Sequence, residues 1–155
     1  MKHWRYLFFS VLVILLHQLA QTWVYSLIEA RGGHIAILPF FNLVEVWNKG
    51  ISFGMFNRLA YGQWLLSGMA MIITLIMLRW LHRTDDRLTA AALGLIIGGA
   101  IGNTIDRIRF GAVADYLDLY AYGYHWPAFN MTDTAIFIGV GILVLRVANI
   151  KGSIL

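Results

Sequence analysis

The chain has 155 residues, of which 59% are hydrophobic and 13% are charged. A soluble globule of this size needs more charged surface than that, so the composition predicts a membrane protein. Cysteine is absent, which excludes disulfides, thiolate nucleophiles and iron–sulfur clusters. The formal charge of +4 comes mostly from basic residues near the ends of apolar runs, so we expect contacts with lipid headgroups and no nucleic-acid partner.

Four apolar runs predict four membrane-crossing helices. A helix needs about 20 residues to cross a bilayer core of about 30 Å, so the chain has room for four spans and one modest extramembrane piece. We therefore expect a single integral membrane domain covering residues 1–155. The predicted spans are approximately 6–28, 61–81, 88–105 and 131–150.

The first predicted helix carries a polar stripe within its apolar run. His17, Gln18, Gln21 and Thr22 would lie along one side of this helix. The basic start and apolar run are typical of a signal peptide, but no small-residue cleavage signal follows them, so we interpret the segment as a retained first span.

The basic residues predict the orientation in the membrane. Seven of the Lys and Arg residues fall on the side of the termini and the 81–87 loop, against five on the other side. The positive-inside tendency therefore places both termini in the cytoplasm and segments 29–60 and 106–130 outside. Most acidic residues lie on or near the outer side, so we expect the chemistry close to the outer face.

Segment 29–60 predicts a small outer flap that contains β-structure. Apolar residues between Leu43 and Phe53 surround Asn48, Lys49 and Gly50, a turn signal typical of a hairpin. The fold class expected is thus an all-α membrane protein, a four-helix transmembrane bundle with a small extracytoplasmic β-containing flap. The outer loop 106–130 includes a part around Ala121 to Trp126 that could close over the site.

The third predicted helix combines a packing seam with a polar end. Gly94, Gly98 and Gly102 recur every four residues, a spacing that lets another helix approach closely and needs no chemistry to explain it. Asn103 and Arg107 share a helix face with Asp106 and could form a hydrogen-bonded, charge-paired cluster.

Two acids in apolar surroundings are the candidate catalytic pair. Asp115 lies in an apolar stretch, and Asp133 begins the fourth helix three residues after Asn130. An acid placed like Asp133 is either an ordinary helix-capping acid or a group held at membrane depth for function. Two adjacent carboxylates would share one proton, so that one activates water while the other polarises a peptide carbonyl.

Other chemistries have weaker support. Lys49 and Ser52 could form a nucleophile pair, but a solvated loop cation explains Lys49 equally well. The histidines show no ligand spacing, so we expect no metal and no cofactor. A small ion or proton transporter is an alternative from another class, although we find no internal repeat of the kind transporters carry.

Four blocks together resemble the bacterial lipoprotein signal peptidase family, also called signal peptidase II. They are Val46–Gly54, Gly98–Arg107, Val113–Tyr116 and Trp126–Ile136. The resemblance implies an intramembrane aspartic endopeptidase of the inner membrane, which removes signal peptides from prolipoproteins by cutting before the diacylglyceryl-cysteine. It implies catalytic roles for Asp115 and Asp133. It also implies that a further set lines or supports the site: Asn48, Gly50, Gly102, Asn103, Asp106, Arg107 and Asn130.

The sequence departs from the family pattern at three positions. The family's first helix usually carries an Asp-Gln-x-x-Lys pattern, whereas His17 and Gln21 replace its acid and its base here. Losing both partners leaves no orphan charge near the bilayer, and the two replacements could hydrogen-bond to each other. Thr132 stands where the family usually has a small apolar residue.

These departures leave one alternative within the family open. A catalytically inactive relative could bind lipidated or other membrane peptides without cutting them. His17 and Gln21 are therefore included among the candidate substrate-binding or supporting residues. The sequence leaves the oligomeric state undecided, with a monomer plausible.

Overall fold

Four membrane-length helices and a small sheet make up the computed structural model, which describes residues 3–50 and 61–152. Within these residues, four helices are long and apolar enough to cross a membrane, as predicted. The helices are α1 (Leu7–Ala30), α2 (Gly62–Arg83), α3 (Arg87–Phe110) and α4 (Met131–Gly152). The strands are β1 (His34–Leu38), β2 (Phe41–Asn48), β3 (Val113–Ala121) and β4 (Tyr124–His125).

Helix α3 is the centre of the bundle. In its most apolar stretch, 72% of α3 is buried by the rest of the protein, against 17–28% in the corresponding stretches of the other three helices. A Cβ atom on Gly98 would lie 2.7 Å from the Cα of Ser10 in α1, and one on Gly99 would lie 2.6 Å from the carbonyl oxygen of Thr132 in α4. The glycine seam therefore serves packing, as predicted, and it serves two neighbours at once.

Helix α3 extends beyond its predicted end at residue 105. Gly111 ends it in a left-handed conformation with φ of 74°, and its backbone N–H donates to the carbonyl of Arg107. Asp106 and Arg107, whose spacing placed them on a helix face with Asn103, lie in the last turns of the helix, and Arg109 follows them there. Basic side chains there suit the negative end of the helix dipole.

The sheet joins the two outer segments. Its order is β1-β2-β3-β4, and all neighbouring strands are antiparallel. Strand β3 pairs with β2 so that Val46 faces Asp115 and Asn48 faces Val113. Segment 106–130 was expected to be a loop; instead it contributes the end of α3 and two strands, and so brings β3 against the flap.

The flap contains a hairpin that was not predicted. Residues 39–40 form the turn between β1 and β2. At the predicted turn around Asn48, Lys49 and Gly50, the backbone N–H of Gly50 donates to Oδ1 of Asn48 at 3.1 Å. Pro39 lacks the backbone N–H that a strand interior needs, which favours a turn there. The strand up to Asn48 is present as expected. The second predicted strand, around Ile51 to Phe53, lies outside the described residues.

Candidate active site

Strand β3 places Asp115 in the protein interior, where only 2% of the residue is exposed. Its Oδ2 atom accepts a hydrogen bond of 3.0 Å from Nδ2 of Asn48, at the end of β2. Its Oδ1 atom accepts one of 2.8 Å from Nδ2 of Asn130. Two amide donors thus hold a buried carboxylate in one orientation.

Asp133 lies in the first turn of α4 and forms a reciprocal cap with Asn130. The Oδ1 atom of Asn130 accepts from the backbone N–H groups of Thr132 (2.8 Å) and Asp133 (3.1 Å). In return, Oδ2 of Asp133 accepts from the backbone N–H of Asn130 at 3.2 Å, as in a capping box. Its other oxygen accepts from Nδ2 of Asn103 at 2.9 Å. The carboxylate of Asp133 therefore caps α4 through Asn130 and is also held by the side chain of Asn103 in α3.

One residue connects the two acids. The side chain of Asn130 donates to Asp115, and its backbone N–H donates to Asp133. Both acids line a single cavity of about 630 Å³. The other polar residues on its wall are Asn48, Asn103, Arg107 and Thr134. Gly50 also lines it, and the apolar residues include Val113, Leu119, Trp126, Phe129 and Phe137.

Burial and the neighbouring acid set the proton affinity of Asp115. Burial first, and then the charge of Asp133, raise the pKa of its carboxyl group to about 7. Hydrogen bonds from Asn48 and Asn130 and the charge of Arg107 lower the pKa and limit the increase to that value. Near neutral pH, the site therefore holds a proton that an isolated carboxyl would have lost.

Arg107 brings the positive charge to the site. Its Nη1 atom donates to the backbone carbonyl of Asn103 and its Nη2 atom to that of Gly50, both at 3.3 Å. Neither acid takes one of these hydrogen bonds, so Arg107 acts on the acids through its charge while it ties α3 to the end of the flap strand.

Behind the cavity, Asp106 ties α1 to β3. Its carboxylate accepts hydrogen bonds from two side chains of α1. Nε2 of His17 lies 3.1 Å away, and Nε2 of Gln18 lies 2.8 Å away. The backbone N–H of Ala114 donates to the same carboxylate at 3.2 Å. Because Ala114 precedes Asp115, this carboxylate fixes the strand at the candidate catalytic acid.

His17 and Gln21 do not form the hydrogen bond expected between them. The His17 ring points to Asp106 and stacks on Tyr116 with centroids 6.3 Å apart. Among the described residues, Nδ1 of His17 and Oε1 of Gln21 are each buried without a partner. Gln18, predicted only as part of the polar stripe, supplies the second donor to Asp106.

Gly102 lies behind the acids and is not on the cavity wall. A Cβ atom there would lie 2.5 Å from Cγ2 of Thr132. The residue therefore allows α4 to approach α3 closely at the level of the two acids.

Sequence reasoning missed two residues that contact the site. Tyr25 of α1 donates to the backbone carbonyl of Asp115 at 3.3 Å, and nothing distinguishes it from other aromatic residues in an apolar run. Thr132 was singled out only as a departure from the family pattern. Its hydroxyl group donates to Oδ1 of Asn103 at 2.6 Å and also contacts Oδ1 of Asn130.

The remaining candidates lie elsewhere. Asp118, three residues after Asp115, is buried and accepts from Asn42 and His125, both at 2.8 Å, and it is absent from the cavity wall. Lys49 is exposed, and Ser52 lies outside the described residues. Across residues 3–50 and 61–152, no group of three or more His, Asp or Glu side chains is placed to hold a metal ion.

Comparison with known proteins identifies the family. The sequence model described as signal peptidase (SPase) II matches residues 9–149. The chain belongs to the signal peptidase II family. It is therefore a peptidase of that family, in agreement with the resemblance and against the transporter alternative.

Curated relatives and solved structures match the signal peptidase II chain over most of its length. It is 39% identical over 144 residues to a lipoprotein signal peptidase of Aeromonas hydrophila, covering 91% of this chain and 86% of the relative. It is 44% identical over 122 residues to the lipoprotein signal peptidase of Vibrio cholerae, covering 77% and 71%. A bacterial membrane enzyme solved by the in meso method at 2.3 Å resolution has a similar fold, with a TM-score of 0.82 at 23% identity, covering 96% of this chain and 90% of that one.

Proposed function

We propose that this chain is an intramembrane aspartic endopeptidase that removes signal peptides from lipid-modified prolipoproteins, cutting before the diacylglyceryl-cysteine. The observation that carries the proposal is that Asp115 and Asp133 face one cavity and are both held by Asn130. Family membership supports the peptidase activity and the prolipoprotein substrates. The roles of individual residues are our proposal.

The proposed reaction uses the two acids as one unit that shares a proton. The ionised carboxylate takes a proton from water while the water oxygen bonds to the scissile carbonyl carbon. The protonated carboxyl group donates to the carbonyl oxygen, which stabilises the negative charge that develops there. When the tetrahedral intermediate collapses, the C–N bond breaks and the leaving amine takes up a proton from the pair. The acids return to their starting state, and no metal or cofactor is needed.

The surrounding amides and Arg107 keep the acids ready for this reaction. Asn48 and Asn130 donate to Asp115, and Asn103 donates to Asp133, so each acid has at least one fixed amide donor. Preorganised donors lower the barrier because they need no rearrangement during the reaction. The cationic Arg107 keeps one of the two acids ionised, while its bond to Gly50 holds the rim of the cavity.

The second group of residues supports the site from behind. We propose that Asp106 and His17 fix β3 beside Asp115, and that Gly102 lets α4 bring Asp133 close. Gln21 lies on the same stripe of α1, one turn after His17. These residues act on the position of the acids and do not contact the reacting atoms.

We further propose the setting in which the enzyme works. The whole chain, 1–155, is one domain of the bacterial inner membrane, with cytoplasmic termini and with the flap 29–60 and the segment 106–130 on the outer face. The active site then lies near the outer surface, where the lipid of the substrate can remain in the bilayer. We propose that the chain works in contact with membrane lipids.

Cleavage of a diacylglyceryl-modified precursor by detergent-solubilised protein tests the proposal. The wild-type protein should release the signal peptide, and Asp115→Asn or Asp133→Asn should abolish release. Asp118→Asn is the matched control, because Asp118 is a buried acid on the same strand that does not line the cavity. Activity that survives both catalytic substitutions would refute the aspartic mechanism. Binding of the precursor without cleavage by any variant would identify an inactive relative.

A further inference from the structure

We propose that the hydroxyl group of Thr132 positions the catalytic pair: it donates to Oδ1 of Asn103 and thereby aims the amide nitrogen of Asn103 at Asp133. The inference rests on the proposed function, because it assigns Thr132 a part in holding one of the two acids. Thr132 is a positioning residue. Among the described residues, its hydroxyl group contacts the side-chain oxygens of Asn103 and Asn130 and forms no hydrogen bond with either carboxylate.

The orientation of the Asn103 amide decides whether Asp133 is stabilised. An ionised carboxylate only accepts hydrogen bonds, so it needs the NH₂ side of the amide and is repelled by the oxygen side. Asn103 presents Nδ2 to Oδ1 of Asp133 at 2.9 Å. Rotating the amide by half a turn would place its oxygen against the carboxylate. A donor on the Asn103 oxygen therefore fixes the productive orientation.

Thr132 is the donor on which that oxygen depends. Its hydroxyl group lies 2.6 Å from Oδ1 of Asn103 and also contacts Oδ1 of Asn130. A hydroxyl group has one hydrogen to give. The Asn130 oxygen already accepts from two backbone N–H groups, those of Thr132 at 2.8 Å and Asp133 at 3.1 Å. The other donor near the Asn103 oxygen is Nδ2 of Asn130, at 3.5 Å, so the hydroxyl hydrogen goes to Asn103.

Packing holds the Thr132 side chain in this position. The residue is fully buried, with 0% exposed, so bulk water has no access to replace the hydroxyl group. Its methyl group fills the space over Gly102, where a Cβ atom would lie 2.5 Å from Cγ2. Since the methyl group occupies that space, the hydroxyl group is left facing the two asparagine oxygens.

Thr132→Val and Thr132→Ser separate the hydroxyl group from the shape of the side chain. Valine keeps the volume and removes the donor, so kcat for the lipidated precursor should fall by about fivefold while KM stays within about twofold, the effect of losing one buried hydrogen bond in the transition state. Serine keeps the donor and should recover most of the lost kcat. Thr104→Val is the matched control: Thr104 is also buried, but its hydroxyl group donates to the carbonyl of Ala100 within its own helix.

A double-mutant cycle tests whether Thr132 acts through Asn103. In an Asn103→Ala background, Thr132→Val should cause no further loss of the residual kcat, because the oxygen that the hydroxyl group holds is gone. If the two losses multiply, or if serine is as impaired as valine, Thr132 matters through packing and the proposal is wrong. It is equally wrong if valine keeps the wild-type kcat.

A readout that does not depend on activity separates this proposal from the proposed function. With ¹⁵N-labelled asparagine, the side-chain amide signal of Asn103, assigned by its loss in Asn103→Ala, should shift in Thr132→Val and return towards its original position in Thr132→Ser. Thr104→Val should leave it in place. An unmoved signal in Thr132→Val overturns the positioning role even if the wild-type protein cleaves. Absence of cleavage by the wild type refutes the proposed function, and the amide signal still decides the role of Thr132.

Discussion

Asp115→Asn should make the folded protein less sensitive to rising pH. Burial raises the pKa of Asp115 to about 7, whereas an aspartate in an unfolded chain has a value of about 3.9. The folded state therefore holds this proton over a range in which the unfolded state has lost it. The stability associated with the proton is complete below about pH 4 and is lost as the pH rises to about 7.

The size of the effect follows from the gap between the two values. Each pH unit of that gap corresponds to about 1.36 kcal/mol, so roughly three units set a ceiling of about 4 kcal/mol. The substituted amide cannot accept fully from both Asn48 and Asn130, and this lowers the stability of the variant by an amount that does not change with pH. Because Asp115 shares its proton with Asp133, the pH dependence of the difference between the two proteins reports the titration of the pair.

Thermal unfolding in detergent, followed by tryptophan fluorescence between pH 4 and pH 8, measures that difference. Wild-type Tm should decline relative to that of Asp115→Asn across this interval, by several degrees if half of the ceiling is realised. Titrating groups outside the Asp115–Asp133 pair are the same in both proteins, so their contributions largely cancel in the comparison. Two Tm profiles that run parallel from pH 4 to pH 8 would refute the reasoning.

Three further outcomes are expected. The cleavage rate of the wild-type protein should fall as the pH rises through about 7, because burial keeps the shared proton on the pair that includes Asp115 only up to that range; a flat rate profile from pH 6 to pH 9 would contradict this. His17→Asp should lower Tm and activity because the new carboxylate would face the buried carboxylate of Asp106. Adding Gln21→Lys should restore both Tm and activity. A double variant no better than the single one would exclude charge pairing as the cause. Gly102→Ala should lower the free energy of unfolding by about 1–3 kcal/mol through overpacking, whereas Gly141→Ala, with no atom within 4 Å of the added carbon, should be neutral, and equal Tm values for the two variants would count against the close approach of α4.

Much of the fold could be predicted because membrane spans have a strong local signal. Long apolar runs are required wherever a helix crosses lipid, so the four helices follow from composition and length. The predicted end of α3 fell short because the apolar run stops at residue 105, whereas the helix continues to Phe110 through charged residues and carries Asp106 into the interior. Strand β3 was missed because its partner, β2, lies far away in the chain and pairing over such a distance leaves no local pattern.

The two acids of the candidate site could be predicted from the sequence, but the contacts between residues far apart in the chain could not. Asp115 and Asp133 stood out because an acid among apolar residues needs a reason, and the structure places both on one cavity. The hydrogen bond of Thr132 to Asn103 joins residues 29 positions apart, and the sequence marked only an unusual residue there. The expected contact between His17 and Gln21 used helix spacing alone. It ignored the pull of Asp106, which lies on another helix and attracts the ring of His17.

Asn130 has a mechanical consequence for the enzyme. Its side chain donates a hydrogen bond to Asp115 on the sheet, and its backbone N–H donates one to Asp133 on the helix. A tilt of the first turn of α4 therefore moves both donors together. The spacing of the acids is thus insulated from breathing of the helical bundle. A bulky helix that spreads the apolar walls of the cavity, at Trp126 and Phe137, would change the shape of the cavity and leave Asp115 and Asp133 in alignment.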